Sequence, residues 1–197
     1  MLDYLTHYYK RNAPPFRSLS TLSDDEALSI MQSLYDETLF GARFKDPLQY
    51  LHDRQHTERW VRAAFIAKGG QPQEPYPIYM VLGSSPWLVK VAPDTPDHGE
   101  IRIPLAAFQE GDVSFTYPDS MISFWFGNAK PAEYYQPDYH GKVFTRTEIL
   151  AIVAARGLPE EDWEPRLPPQ LAPYIEAQVW NRQPLLPYQA QLDFLAA

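Results

Sequence analysis

Residues 78–82 read IYMVL, five positions without a charged side chain. A strand that is apolar on both alternating faces must lie inside a sheet and be covered on both sides. This segment therefore demands neighbouring strands and material packed above and below it. It belongs to a longer stretch, residues 76–126, that carries most of the strand signal. Ile101 and Ile103 flank Arg102 in a short strand that Pro104 ends. Val113, Phe115 and Tyr117 alternate with Ser114 and Thr116, the pattern of a half-exposed strand. The apolar runs 87–92 and 122–126 read as further strands, and Ile175, Ala177 and Val179 alternate with Glu176, Gln178 and Trp180 in a late one.

The helix signals lie outside that stretch. Ser23 and Glu26 form a capping box, and Ala27, Leu28, Met31, Leu34 and Tyr35 fall on one stripe, predicting a helix over 24–38 that ends by Gly41. Asp46-Pro47 opens a second helix, which Gly69-Gly70 closes. Its outer face carries Asp53, Arg54, Glu58, Arg59 and Arg62, a solvated stripe with Glu58 and Arg62 paired at i, i+4. The alternative use of Arg54, Arg59 and Arg62 is to grip a phosphate or carboxylate. Thr145 and Glu148 make another capping box, and Gly157 and Pro159 stop the helix that follows. Residues 185–195 suit a terminal helix. Residues 1–22 read as an aromatic, basic arm whose first part is a short helix or an edge strand, and residues 127–142 as a long loop rich in Gly, Pro and Tyr. The predicted fold is α+β: a single domain over 1–197, with five to seven short strands in a mixed or mainly antiparallel sheet and three or four helices.

Twenty prolines are dispersed along the 197 residues and mark turns and strand ends, not a linker. The net charge of −8 opposes general phosphate binding, leaving nucleic acid only a local patch. There is no cysteine, so thiolate metal sites, disulfides and cysteine nucleophiles are excluded together. MLDYLTHYYKR lacks the basic start and apolar run of a signal peptide, and no segment reaches the ~18 apolar residues of a membrane span. A cytoplasmic protein without a membrane partner is expected.

His52 and His56 share a helix face, but HDRQH lacks the glutamate of a zinc-protease motif and lies among arginines, so no metal is expected. Asp94, Asp97 and His98, and separately Asp138 and His140, lie in loops without the spacing of a calcium site. Gly83-Ser84-Ser85 is not a nucleophile elbow, and neither GxGxxG nor GxxxxGK[ST] occurs. Glu176 is the one carboxylate alternating out of an otherwise aliphatic strand; it faces either solvent or a cleft.

Four segments carry a resemblance. They are LTH at residues 5–7, PIYMVLGSSPWL at 77–88, EIRIPLAAFQEGDVSFTYPDS at 100–120, and EAQVW at 176–180. Their order resembles the DarT-type DNA ADP-ribosyltransferases, with Pro77-x-Tyr79 followed by Ser85-Pro86 as the best match. The resemblance implies an ADP-ribosyltransferase fold, NAD⁺ as substrate and a base of single-stranded DNA as acceptor. It implies that His7 contacts the nicotinamide-side ribose, that Glu176 hydrogen-bonds its 2′-hydroxyl as the catalytic carboxylate, and that Tyr79 lines the same cleft. Arg17, Arg43 and Arg54 are the candidates for the NAD-binding arginine. The wider superfamily places its glutamate two residues after Gln or Glu; here Glu176-x-Gln178 reverses that order. The other reading is a non-enzymatic module that recognises a protein partner through the 127–142 loop and the N-terminal arm.

Overall fold

The computed structural model describes residues 2–11, 13–37, 41–91, 98–159 and 173–189. Five strands form one open antiparallel sheet: β1 (Tyr4–Lys10), β2 (Ile78–Leu82), β3 (His98–Pro104), β4 (Val113–Thr116) and β5 (Glu176–Val179), in the order β3-β1-β2-β5-β4. The fully apolar IYMVL takes the central position, as its two apolar faces require. The N-terminal segment is not an arm or an edge strand: β1 lies between β2 and β3, with Leu5 opposite both Leu82 and Ile103.

The register sorts the side chains into two faces. Leu5, Leu82, Met80, Ala177, Phe115 and Ile103 share the first, where they join Phe16, Leu105, Phe108, Tyr139 and Ile149 in the main core. Thr6, Val81, Glu176 and Thr116 are aligned on the second, beside Tyr79, Gln178 and Ser114. Helix α5 (Arg146–Arg156) covers the first face through Ile149. Helix α2 (Pro47–Ala67) covers the second, where Val61 and Phe65 pack against Trp180. Behind it lies α1 (Asp24–Leu34), with Ala27 and Met31 against Leu51.

The predicted caps form. Ser23 and Glu26 bond reciprocally, as do Thr145 and Glu148, and Asp46 accepts from the Gln49 N–H at 3.1 Å. α1 ends at Leu34, short of the predicted 38.

Two predicted strands are helices instead. α3 (Pro86–Val91) replaces the run 87–92, because Ser85 Oγ accepts from the Leu88 N–H at 3.2 Å and Pro86 supplies a helical φ. α4 (Ser120–Ala129) replaces the run 122–126, because Asp119 caps it by accepting from the Ile122 N–H at 3.0 Å. The described residues thus hold five complete α-helices and the start of another at 186–189, more than the sequence suggests. β4 is buried on both faces, not half-exposed, and Phe144 pairs with Phe115 along its outer edge. The loop at 94–97 and most of the terminal helix predicted at 185–195 lie outside the described residues.

The segment after α4 folds back on the helix. Gly141 N–H donates to the Ser123 carbonyl at 2.8 Å, and a Cβ placed on Gly127 would stand 2.4 Å from Gly141 Cα. Backbone meets backbone there, so no side chain can give way. Gly127→Ala is expected to lower stability by about 1–3 kcal/mol. A thermal melt within 1 °C of wild type would show that the two segments separate freely.

Candidate active site on the polar face of the sheet

Glu176 opens β5, and Val81 and Thr116 stand opposite it on the two neighbouring strands. Its side chain points into the layer between the sheet and the helices and is 8% exposed. Glu176 Oε1 accepts from the Ser120 N–H at the start of α4 and from Gln178 Nε2, both at 3.0 Å. Gln178 is fixed in turn: its Nε2 also donates to Thr116 Oγ1 at 2.9 Å, and its Oε1 accepts from Ser114 Oγ at 2.8 Å. Trp180 Nε1 completes the chain by donating to Ser114 Oγ at 2.9 Å. A line of buried polar groups thus runs along β4 and β5 and ends at Glu176.

Burial, and then the nearby carboxyl of Asp119, push the Glu176 carboxyl up to about 7, against the opposing bonds from Ser120 and Gln178. Asp119 is itself raised, chiefly by burial, while the Ile122 amide and the Arg43 guanidinium pull it back. Two carboxyl groups therefore share the first turn of α4, where the amides and helix dipole favour negative charge.

α2 supplies the opposite wall. Arg54 and Glu58 form an ion pair at 3.1 Å, and Glu58 is 1% exposed. Tyr79 donates its hydroxyl to Glu58 Oε1 at 2.8 Å, while the Arg54 guanidinium lies 4.4 Å from the centre of the Tyr79 ring and its Nε donates to Ser20 Oγ at 3.1 Å. Of the stripe expected to be solvated, Asp53 and Arg59 are exposed, but Arg54, Glu58 and Arg62 turn inward, and Glu58 pairs with Arg54 in place of Arg62. Burial raises the Tyr79 phenol well above its usual range, with the Glu58 and Glu176 carboxylates adding to the effect. Tyr174 is raised in the same way, by burial and then by Glu176 and Asp119, with Arg43 opposing. Arg54 thus acts on Tyr79, and Arg43 on Asp119 and Tyr174.

His7 is elsewhere. It follows Thr6, so strand alternation turns it to the first face, opposite Ile101. Its Nδ1 lies 3.0 Å from the Tyr79 carbonyl, and its Nε2 accepts from the Phe16 N–H at 2.9 Å. Those partners define a neutral ring protonated on Nδ1, consistent with burial pushing its pKa down to about 4. Phe16, at φ 57° and 4.7 Å from the imidazole, is held by this contact. His7 therefore pins the turn after β1 and does not share a face with Glu176.

Arg17 is exposed beside Glu26 at the start of α1. His52 and His56 are exposed, His56 with its ring edge toward Phe124, and no group of three potential metal ligands occurs among the described residues. Ser85, of the Ser85-Pro86 pair, is buried and receives no ligand-facing role: its N–H donates to the Tyr8 hydroxyl at 2.9 Å and its Oγ caps α3.

Sequence reasoning missed Glu58, Asp119 and Tyr174. The N-cap spacing from Asp119 to Ile122 was a readable signal for Asp119; nothing local marks Glu58 as buried. No family model, no curated protein and no solved structure matches this chain.

The arrangement has definite chemical capacities. A carboxyl with a proton affinity near neutrality can accept a hydrogen bond from a ligand hydroxyl or offset a developing positive charge. Tyrosine faces can stack on a flat ring, and the exposed Arg43 can meet an anion. Arg54 is already engaged by Glu58, which reduces its value as an anion ligand.

Proposed function

We propose that the chain binds NAD⁺ on the polar face of its sheet and acts as an ADP-ribosyltransferase-like enzyme centred on Glu176. The observation that carries this reading is the company Glu176 keeps. It is a buried carboxyl on an inner strand, held through Oε1 by the Ser120 amide and Gln178, on the same sheet face as Tyr79, over whose ring the Arg54 guanidinium lies.

NAD⁺ supplies a glycosidic bond whose cleavage releases nicotinamide and leaves positive charge at the anomeric carbon. Ionised Glu176 accepts the hydrogen bond of the adjacent ribose 2′-hydroxyl and lowers the energy of that charge. Oε1 is positioned by Ser120 and Gln178, so the carboxylate needs little reorganisation to act. Arg43, exposed and with its guanidinium over the Phe44 and Tyr50 rings, is the arginine assigned to the pyrophosphate. His7 has no part in this version of the site. The acceptor is left open, because a net charge of −8 gives DNA no general attraction.

Titration calorimetry with NAD⁺ tests the reading. Binding between about 1 μM and 1 mM is expected, the usual enzyme–substrate range. NAD⁺ consumption should rise with pH through a midpoint near 7 as Glu176 ionises. No binding of NAD⁺ or ADP-ribose at millimolar concentration ends it.

A second reading, a protein-interaction module, is favoured by Trp125, 53% exposed on α4. The N-terminal segment cannot serve it as an arm, since β1 is an inner strand. Within the 127–142 loop, Tyr139 and His140 are buried, so Trp125 and the half-buried Tyr134 and Tyr135 would carry the contact.

A further inference from the structure

Strand β3 ends the sheet on one side. It pairs with β1, and no other strand among the described residues pairs with it. The register states which backbone groups its open side presents. The Leu105 N–H donates to the Asp3 carbonyl, one step beyond the Tyr4–Pro104 pair, so by antiparallel alternation Ile103, Ile101 and Gly99 exchange their bonds with β1. The N–H and C=O groups of Glu100 and Arg102 therefore point away from the sheet, and neither residue makes any other backbone bond among the described residues. Both side chains are exposed and form an ion pair at 3.0 Å. Such an edge is a template for a further strand unless proline or an inward-facing charge blocks it. In β3, Pro104 stands only at the end, and the inward-facing Gly99, Ile101 and Ile103 carry no charge.

We propose that β3 pairs with the β3 of a second copy of this chain, antiparallel about a two-fold axis at Ile101, so that the two sheets become one. Ile101 is the middle of the seven residues, so this register pairs the whole strand with itself. It sets Glu100 opposite Arg102 of the second copy, and Arg102 opposite Glu100 of the second copy. The outward backbone groups and two opposite-charge pairs therefore meet at the same positions. A slip of one residue would turn bonding groups against non-bonding ones. A slip of two would set Glu100 against Glu100, or Arg102 against Arg102, and like charges directly opposite are destabilising. The order of the two charges thus selects one register. It also gives a chain of net charge −8 a neutral, self-complementary contact with its own copy.

Sedimentation velocity on the full chain, from about 1 to 200 μM, tests the pairing and is expected to show a monomer–dimer equilibrium within that range. Arg102→Glu sets carboxylate against carboxylate at both pairs and should raise the Kd at least about tenfold. Adding Glu100→Arg to that variant restores opposite charges in this register and should return the Kd to within about threefold of wild type. Both positions are exposed, so these variants keep the fold. Because the chain has no cysteine, Ile101→Cys would place a single thiol on the axis. There the Cα atoms of a non-hydrogen-bonded pair stand about 4.5 Å apart, within disulfide reach, so oxidation should give a covalent dimer. Glu100→Cys meets its equivalent only diagonally, at about 7–8 Å, and should not cross-link. A chain that stays monomeric throughout the range overturns the proposal. So does a dimer that Arg102→Glu leaves intact, that the double exchange fails to restore, or that cross-links through Glu100→Cys in place of Ile101→Cys.

Discussion

Glu176→Gln is expected to abolish NAD⁺ consumption while making the fold more stable at pH 8. The loss of activity follows from removing the charge that offsets the departing nicotinamide, worth about 100-fold or more in rate. The gain in stability follows from the direction of the proton linkage. The folded-state value for Glu176, about 7, lies above the ordinary 4.5, so between those two pH values the folded chain binds more protons than the unfolded one. The resulting stability is fully present below about pH 4.5 and is lost as pH rises through about 7. Each pH unit of displacement corresponds to about 1.4 kcal/mol, so at pH 8 the buried carboxylate costs roughly 3 kcal/mol. Asp119 contributes in the same direction. Glutamine keeps an oxygen for the Ser120 amide and for Gln178 Nε2 and carries no charge. Urea unfolding at pH 5 and pH 8 reads both terms: near-equal stability of wild type and variant at pH 5, and a more stable variant with a flatter profile at pH 8. A variant less stable than wild type at pH 8 would mean that Glu176 is held as a stabilising ion and not as a poised one.

Trp180→Ala should produce the largest loss of stability. The indole is fully buried against Val61, Phe65 and Val143, between α2 and the sheet. Its N–H donates to Ser114, and its backbone joins β5 to two other segments: Trp180 N–H donates to the Asp112 carbonyl, and its carbonyl accepts from the amides of Gln73 and Glu74. Truncation empties the largest fully buried side chain and frees one end of the polar line that leads to Glu176. The expected cost is about 3–5 kcal/mol, up to half or more of the ~5–15 kcal/mol typical of a globular domain. Trp180→Phe retains most of the apolar volume but loses the hydrogen bond, and should cost about 1–2 kcal/mol. The urea midpoint should fall in that order with little change in slope. A loss below about 1 kcal/mol for the alanine variant would show that α2 closes over the gap.

The features that were legible beforehand are those whose partners lie three or four residues apart. The Ser23–Glu26 and Thr145–Glu148 boxes and the Asp46-Pro47 start are complete within one helical turn, and all three form. The runs 87–92 and 122–126 were misread because five or six apolar residues do not distinguish period 2 from period 3.6. The deciding groups, Ser85 and Asp119, stand just before each run and were available as caps. Arg54 and Glu58 were assigned to solvent on charge alone. Their burial depends on Tyr79, 21 residues beyond Glu58, whose hydroxyl meets the Glu58 carboxylate.

The sequence by itself determined that IYMVL is central, that the chain is α+β, and that Glu176 stands apart from the aliphatic residues beside it in β5. Each follows from alternation or capping, which are local. Whether His7 and Glu176 face one cleft is a different kind of question. Alternation along a strand states only that His7 and Thr6 point in opposite directions. The hydrogen-bonded register aligns Thr6 with Val81 and Val81 with Glu176, and so sends His7 to the other face. A shift of one residue in that long-range pairing would reverse the outcome, since the side-chain period is two. Only the tertiary structure chooses between the two registers, and it places Asp119, Ser120 and Gln178 beside Glu176 where the linear order had offered His7.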